Sequence, residues 1–419
     1  MHARMASWVV AALAAVALTA QAATEIVVEY AIPDLFKAVH EEIAREFMKQ
    51  RPDIKVTFRA PQPGYEEAAQ QVLREAITNQ LPDVSYQGLN RQRVFVDRKL
   101  AVDLTPFIMS EKDWNSLGYS DALLDLGRFH GRQYGVGFSL STPIVYYNAD
   151  LVRKAGGNPD SLPTNWTDIL ALANRIKALG GDVQGFHFDW DITGNWMFQA
   201  LVFANGGSML TPDEKTVAFS GAAGEGAMKL LATMVTTGTM RDVSGSVSLQ
   251  DFIAGRLGIW SHSTSRLGGV MRQVGGKFDV RTGVFPVPAA NGRLPAGGNV
   301  AMMFAATPER QKAAWDYIKF ATGPLGATIM VKGTGYFPAN TLPAGDPRLL
   351  ADYYRQNPNH LTAIRQLDKV TNWYAFPGEN GLKITDVIKD SLQSVVNKST
   401  PPEAALKKVA GDVQALLPR

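Results

Sequence analysis

The order of elements at the start of the exported chain limits its fold more than any other feature. Residues 25–30, 53–59 and 82–86 have the apolar alternation or enrichment of strands, and residues 33–48 and 65–79 carry apolar side chains at helical spacing. A strand–helix–strand–helix–strand order predicts a mostly parallel α/β sheet. Binding residues in such sheets lie in the loops at the carboxyl ends of the strands.

A second α/β region begins near Ser141. It contains a predicted buried strand at residues 144–147 and an amphipathic helix at 166–179. Further predicted elements lie at 185–189, 223–236, 257–260 and 384–417. A chain of this length is too long for one core, and no low-complexity linker separates the two regions. We therefore expect two lobes joined by short ordered crossings, as in a hinged clamp.

The first 22 residues have the pattern of a secretory signal peptide. His2 and Arg4 precede a small apolar run over residues 8–18, and Ala20-Gln21-Ala22 provides a small-x-small exit. The run is shorter than the roughly 20 apolar residues of a membrane-spanning helix. We predict cleavage after Ala22 and a soluble periplasmic product.

Composition excludes several classes of function. The chain has no cysteine, so it offers no thiol nucleophile, no thiolate metal site and no disulfide, and no cysteine on which to carry a lipid anchor. There are 42 lysines and arginines against 39 aspartates and glutamates, and this near-balance argues against nucleic acid as a partner.

A search for catalytic motifs finds little. The six histidines lack the close spacing of helix-borne metal ligands. The GFSLS run at 137–141 ends in serine where a nucleophile elbow has glycine. Glu66 and Glu67 are adjacent on a predicted helix and so point in different directions. We predict no enzyme activity, no cofactor and no metal.

Six short motifs in series resemble the carbohydrate-type extracellular solute-binding proteins, the family that includes maltose-binding protein. They are FMKQRPDIKV at 47–56, LPDV at 81–84, STPIVYYN at 141–148, PTNW at 163–166, FIAGRLGI at 252–259 and GYFP at 335–338. Their order covers nearly the whole exported chain. Tyr65-Glu66, the run from Ser141 and the turn around Tyr336 are most similar to the glycerol-3-phosphate and glycerophosphodiester binders.

The resemblance implies a two-lobed periplasmic-binding-protein fold of type II, with the ligand cleft between the lobes. It places lobe one at 23–138 plus 303–325 and lobe two at 142–300 plus 326–419, with hinges near 139–141, 301–302 and 325–326. The implied function is capture of a hydroxyl-rich solute, as a monomer, for the membrane permease of an ABC transporter. A periplasmic carbohydrate-active hydrolase, and a scaffold or sensor without a small-molecule ligand, are the alternatives.

Polyol recognition requires aromatic rings for C–H faces and fixed polar groups for hydroxyls. Trp190 and Trp196 lie in a polar, glycine-containing run after a strand, which predicts ligand walls; two core anchors would explain them as well. Glu66, beside Tyr65 at the start of the second helix, could accept from two hydroxyls, or simply complement the helix dipole.

Further ligand-binding candidates lie near the expected crossings and after strands. They are Gln87, Ser141, Ser263, Gly298 and Asn299, for which ordinary turns and polar loops are the alternative. Tyr336 could present a phenol from the second lobe, or pack under its own loop. Lys383 falls where the glycerol-phosphate relatives place an arginine for the anionic group. A lysine keeps the charge without the bidentate fork, and a solvated lysine is the alternative.

Overall fold

The computed structural model describes residues 23–237 and 240–418. The predicted signal peptide, residues 1–22, lies outside the described residues. The strands are β1 Thr24–Glu29, β2 Ile54–Phe58, β3 Val84–Gly88, β4 Arg128–Phe129, β5 Arg132–Gln133, β6 Gly135–Ser141, β7 Pro143–Asn148, β8 Gln184–Phe188, β9 Leu257–Ser263, β10 Val280–Val284, β11 Leu294–Pro295, β12 Gly297–Met303 and β13 Val370–Thr371.

Helices cover both faces of the larger sheets. They are α1 Pro33–Gln50, α2 Tyr65–Ile77, α3 Gln92–Asp97, α4 Thr105–Ser110, α5 Asp121–Leu124, α6 Ala149–Lys154, α7 Trp166–Lys177, α8 Trp196–Ala204, α9 Ala222–Thr236, α10 Gly245–Ile253, α11 Leu267–Val274, α12 Pro308–Thr322, α13 Pro324–Gly333, α14 Ala351–Gln356, α15 Leu361–Ile364, α16 Gly381–Val396 and α17 Pro402–Leu416. None of the helices in the described part of the chain has the length and apolarity that crossing a membrane requires.

Lobe one is built on a five-stranded sheet in the order β2-β1-β3-β12-β6. β1 pairs in parallel with β2 and β3, whereas β12 is antiparallel to both of its neighbours. Helix α1 forms here because Phe36, Val39, Ile43 and Phe47 recur on one face and are all buried. This face packs into the lobe-one core with α12 and α13.

Lobe two is built on a four-stranded sheet in the order β10-β7-β9-β8. β9 is parallel to β8 and antiparallel to β7. One face of the sheet carries α7, and α8, α9, α16 and α17 pack together beside it. The predicted two-lobed α/β class is confirmed by this pair of sheets.

The chain crosses between the lobes at three places, and two of them differ from the prediction. The first is at Thr142, between β6 and β7. The second is at Ala296, because the whole of β12 pairs within the lobe-one sheet, so the predicted crossing near Ala301 is wrong.

The third crossing comes later in the chain than the predicted position near Leu325. Helix α13 packs against α1 in lobe one, and Leu350 and Tyr354 lie in the lobe-one core. The chain has entered lobe two by Asn359, whose side-chain amide donates to Val280 O at 2.8 Å. Lobe one therefore comprises residues 23–141 and 297–356, and lobe two comprises 142–296 and 357–418.

Gly298 lies in β12 opposite Leu140 of β6, close to the first two crossings. Its φ is +106°, and a Cβ there would lie 1.9 Å from Ser139 O. We expect Gly298→Ala to lower the free energy of unfolding by more than about 2 kcal/mol, because strain and collision add. Chemical denaturation measures the loss. Gly276→Ala is the control, since Gly276 has φ +79° but open space. If both variants lost the same free energy of unfolding, the contact of the new Cβ with Ser139 O would not contribute to the loss.

Candidate functional site

A cleft of about 390 Å³ lies between the lobes, at the carboxyl ends of several strands. Both lobes contribute to its wall. The lining residues are Ile32, Asp34, Leu35, Pro63, Gly64, Tyr65, Glu66, Ser141, Ile192, Thr193, Trp196, His262, Ser263, Ser265, Arg266, Gly297, Gly298, Tyr336 and Trp373. The structure thus brings together seven of the eleven predicted site residues, which are Tyr65, Glu66, Ser141, Trp196, Ser263, Gly298 and Tyr336.

The first turn of α2 supplies two polar groups of lobe one, Tyr65 and Glu66. The Tyr65 ring packs against β3 at Gly88, where an added Cβ would lie 2.8 Å from the ring. The side-chain amide of Asn299 donates to the Tyr65 hydroxyl at 3.1 Å. Tyr65 is therefore held from two sides, and its hydroxyl lies at a fixed place on the cleft wall.

Glu66 is an anion held by both lobes. Its Oε1 accepts from Arg91 in lobe one and from Thr193 Oγ1 in lobe two, the latter at 2.5 Å. Burial alone would raise the pKa of Glu66, but the Arg91 charge and the two hydrogen bonds outweigh burial and bring the pKa below its usual value. The carboxylate is therefore ionised at neutral pH and can accept from ligand hydroxyls.

The end of β9 supplies further polar groups of lobe two, beside Thr193. Ser263 Oγ accepts from the Ser265 N–H at 3.1 Å, so the two serines form one short capped turn. His262 lies beside them with Nδ1 accepting from the Ser263 N–H at 2.6 Å. Burial lowers the pKa of His262 to about 4, so the ring is neutral at pH 7.

Behind this turn lies a buried carboxylate, Asp189, which follows β8. It accepts from Trp260 Nε1 at 2.8 Å and Ser248 Oγ at 3.0 Å, and the rings of His187 and His262 approach it at 3.0 and 3.3 Å. These partners overcome the effect of burial and keep the pKa of Asp189 below its usual value. Asp189 therefore places a buried negative charge 3.3 Å from the His262 ring, behind the cleft.

Two tryptophans form the apolar wall of the cleft. Trp196 and Trp373 lie with ring centroids 6.2 Å apart, and both line the cavity. Trp196 is also 2% exposed, and its indole N–H donates to Pro295 O at 3.1 Å. The wall predicted from Trp190 and Trp196 therefore consists of Trp196 and Trp373.

Tyr336 reaches the cleft from lobe one, not from lobe two as predicted. Its ring stacks on Phe36 of α1 at 5.4 Å and lies in the lobe-one core. Burial raises the pKa of Tyr336 and of its neighbour Tyr65. Both phenols therefore remain protonated and can serve as hydroxyl donors.

Four predicted residues do not line the cleft. Gln87 is buried in the lobe-one sheet, where its Nε2 donates to Ser85 Oγ at 2.8 Å. Trp190 is buried in the core, Asn299 acts behind Tyr65, and Lys383 is exposed in the first turn of α16. Lys383 therefore lies outside the cleft.

The cation at the cleft is Arg266, which the sequence reasoning missed. Arg266 follows the Ser263 turn and lies 3.8 Å from Asp34, at the start of α1 in lobe one. Its position directly after a strand is the signal that could have found it. Across the described ranges, no three His, Asp or Glu side chains gather closely enough to hold a metal ion.

Comparisons with known proteins agree on one family. Residues 42–347 match the family model described as "Bacterial extracellular solute-binding protein". A binding protein of Brucella abortus (strain 2308) is 24% identical over 87% of this chain and 89% of its own. The sn-glycerol-3-phosphate-binding periplasmic protein UgpB of Yersinia pestis bv. Antiqua (strain Antiqua) is 24% identical over 75% of this chain and 71% of its own.

A solved structure shows the same fold. The crystal structure of UgpB from Mycobacterium tuberculosis in complex with glycerophosphocholine superposes with a TM-score of 0.82, at 21% identity. The match covers 94% of this chain and 98% of that one. The chain thus shares the fold of that protein over nearly all of its length.

Proposed function

The chain belongs to the bacterial extracellular solute-binding proteins, and on that premise we propose that it captures a hydroxyl-rich solute in the cleft and delivers it to the permease of an ABC importer. The observation that carries the proposal is the composition of the cleft wall. An ionised carboxylate, several hydroxyls and two tryptophans converge there from both lobes, which is the combination that polyols and sugars require.

The candidate ligands are glycerol 3-phosphate or a glycerophosphodiester, a polyol, or a small glycoside. The first class is supported by the UgpB relatives and by the position of Arg266. A guanidinium offers a planar fork of donors that suits a phosphate. The Asp34 carboxylate lies 3.8 Å from the Arg266 guanidinium, and the Asp34 side chain is 70% exposed. A phosphate could therefore displace Asp34 from Arg266.

The state of Glu66 favours binding over hydrolysis. Glycoside hydrolysis requires a pair of carboxyl groups, one of which has a raised pKa so that it can act as an acid. The pKa of Glu66 is lowered, by Arg91 and Thr193 acting against burial, so Glu66 is not the acid of such a pair. The other carboxylate that lines the cleft, Asp34, is 70% exposed and lies beside Arg266, and so lacks the apolar burial that such an acid requires. We infer that the protein releases its ligand unchanged. We propose in addition that it is exported, that it acts as a monomer, and that, having no cysteine, it carries no lipid anchor.

A thermal-shift series tests the proposal. Glycerol 3-phosphate, glycerophosphocholine, glycerol and maltose are added separately, and the same samples are then analysed for breakdown products. A ligand at 100 times its Kd should raise the free energy of unfolding by about 2.7 kcal/mol, without product. Turnover would contradict the transport role, and no shift with any of the four would contradict the ligand chemistry.

A further inference from the structure

We propose that Arg93 and Glu214 form a latch between the lobes, which sets how tightly and for how long a solute is held without touching the solute. This inference rests on the proposed function, since it assigns residues to the closing of the same cleft. Arg93 lies on α3 in lobe one, and Glu214 lies in lobe two, in the turn between α8 and α9. Neither residue lines the cleft. They are therefore positioning residues, which act on a ligand through the placement of the lobes.

The contact between the two residues is a charge-assisted hydrogen bond. Arg93 Nη1 donates to Glu214 Oε1 at 2.6 Å, and the Tyr374 hydroxyl of lobe two donates to the same oxygen at 3.0 Å. The Arg93 and Glu214 side chains are 27% and 32% exposed. The hydrogen bond from Arg93 brings the pKa of Glu214 below its usual value, against the effect of burial. Both partners are therefore charged at neutral pH, and their partial burial strengthens the attraction.

The turn that carries Glu214 is held firmly and is strained at its tip. The Glu214 N–H donates to Thr211 O at 2.8 Å. The side chain of Gln414, on α17, accepts from the Val217 N–H at 2.9 Å and donates to Lys215 O at 2.8 Å. Glu214 has a φ of +57°, a left-handed conformation that costs free energy in a residue other than glycine and that persists where the surroundings enforce it. The turn therefore holds the carboxylate in place toward lobe one.

On lobe one, Arg93 has a second carboxylate within reach. Its Nε donates to Asp97 Oδ2, one turn later on α3, at 3.4 Å. The His130 ring lies 3.6 Å from the other oxygen of Asp97. His130 is in the turn of the β4–β5 hairpin and is also left-handed, with a φ of +50°. When the lobes separate, Arg93 keeps Asp97 as a partner, so the latch can open without leaving a bare cation.

The contact lies far from the crossings between the lobes. α3 packs through Phe95 on Phe304, with ring centroids 5.4 Å apart, and Phe304 follows β12. β12 begins directly after the second crossing and has seven residues, so its far end is about 20 Å from that crossing. A lobe rotation of about 15°, as in other rigid-body switches, moves a point at this distance by about 5 Å. That displacement exceeds the reach of an ion pair, about 4 Å, so the latch forms with the lobes together and breaks when they part.

A contact made in the closed state alone shifts the closing equilibrium. The apparent affinity of a ligand that binds the closed state is its intrinsic affinity multiplied by the closed fraction of the free protein. The latch raises that fraction, so it strengthens the binding of every ligand by the same factor, whatever the charge of the ligand. Because the latch must break before the ligand leaves, the effect lies mainly in the dissociation rate.

The test measures affinity and dissociation rate for glycerol 3-phosphate, glycerophosphocholine, glycerol and maltose, by isothermal titration and stopped flow. Glu214→Gln keeps the shape of the side chain and removes its charge, whereas Glu214→Arg places two cations together. The double variant Arg93→Glu with Glu214→Arg exchanges the charges. Asp316→Asn is the control, since it removes an ion pair with Arg51 that lies wholly within lobe one.

We expect Glu214→Gln to weaken every probe that binds by the same factor, about three- to tenfold, and to raise the dissociation rate similarly. Glu214→Arg should weaken binding further, and the exchanged pair should recover most of the affinity. Asp316→Asn should leave the affinity within about twofold. Wild-type affinity in Glu214→Arg, a loss for one class of probe alone, or no recovery in the exchanged pair would overturn the latch while the solute-binding role stands.

The closed fraction of the ligand-free protein gives a second readout. The chain has no cysteine, so Thr78→Cys on lobe one and Ala171→Cys on lobe two, both exposed, accept a pair of spin labels without further changes. We expect the population at the distance of the closed structure to fall at least about tenfold, relative to longer or shorter distances, in Glu214→Arg. Equal distance distributions would overturn the latch. If no probe binds, the proposed ligand chemistry fails, and this measurement alone decides the latch.

Discussion

Replacing Trp196 with alanine is expected to lower the free energy of unfolding by about 3–5 kcal/mol, as for other buried tryptophans, and to weaken ligand binding as well. The ring is 2% exposed and its N–H is bonded to Pro295, directly before the second crossing. It also lies against Gly297, where an added Cβ would be 3.0 Å away. Trp196 thus supports the crossing and the cleft wall together. Chemical denaturation and isothermal titration measure the two losses.

Two control variants separate these roles. Trp196→Phe keeps a ring but removes the donor to the buried Pro295 carbonyl, so it should cost about 1–3 kcal/mol of stability and retain most affinity. Trp190→Ala removes a tryptophan that is equally buried but does not line the cleft; it should lower stability and spare binding. A Trp196→Ala protein as stable as the wild type would show that the ring does not support the crossing.

Replacing Glu66 with glutamine is expected to weaken binding by about 1.5–3 kcal/mol, or roughly 10- to 150-fold. The substitution keeps the shape of the side chain and removes its charge. It also leaves Arg91, whose side chain is 11% exposed, without its carboxylate partner, so the free energy of unfolding should fall too. Isothermal titration well below the melting temperature measures the affinity of the folded protein.

Glu67 provides the matched control for this prediction. It lies next to Glu66 in the first turn of α2 but is exposed and does not line the cleft. Glu67→Gln makes the same change in charge and should leave affinity within about twofold. Comparable losses in both variants would indicate a long-range effect of charge and not a contact with the ligand.

Local sequence patterns predicted the strands and helices at the start of the chain and several of the later ones. The apolar spacing that led to a helix over 33–48 corresponds to α1, and the helices α2, α7 and α9 also begin at or within one residue of their predicted starts. The crossings were harder to predict. β12 joins the lobe-one sheet from its first residue, and α13 belongs to lobe one because it packs on α1. The apolar spacing within a segment predicts whether it forms a strand or a helix, but it does not show which lobe that strand or helix packs into.

The candidate site was predictable where it follows the carboxyl ends of strands. Glu66 and Ser263 both lie in such positions and both line the cleft. Trp373 and Lys383 show the limit of this reasoning. Trp373 lies in the irregular segment between β13 and α16, and Lys383 lies in the first turn of α16. Local sequence does not determine which side chains of this part of the chain face the cleft. In the structure Trp373 lines the cleft and Lys383 is exposed. Trp190 and Trp196 share one run, and only the fold distinguishes core from wall.

The most direct test of solute capture is native mass spectrometry of the protein purified from a periplasm without refolding, alongside the Glu66→Gln variant. We predict that the wild-type protein carries one unmodified, hydroxyl-bearing small molecule per chain, and that the variant carries little or none. A bound species equally abundant in both proteins would place binding outside the cleft, and a bound molecule without hydroxyl groups would contradict the proposed ligand chemistry.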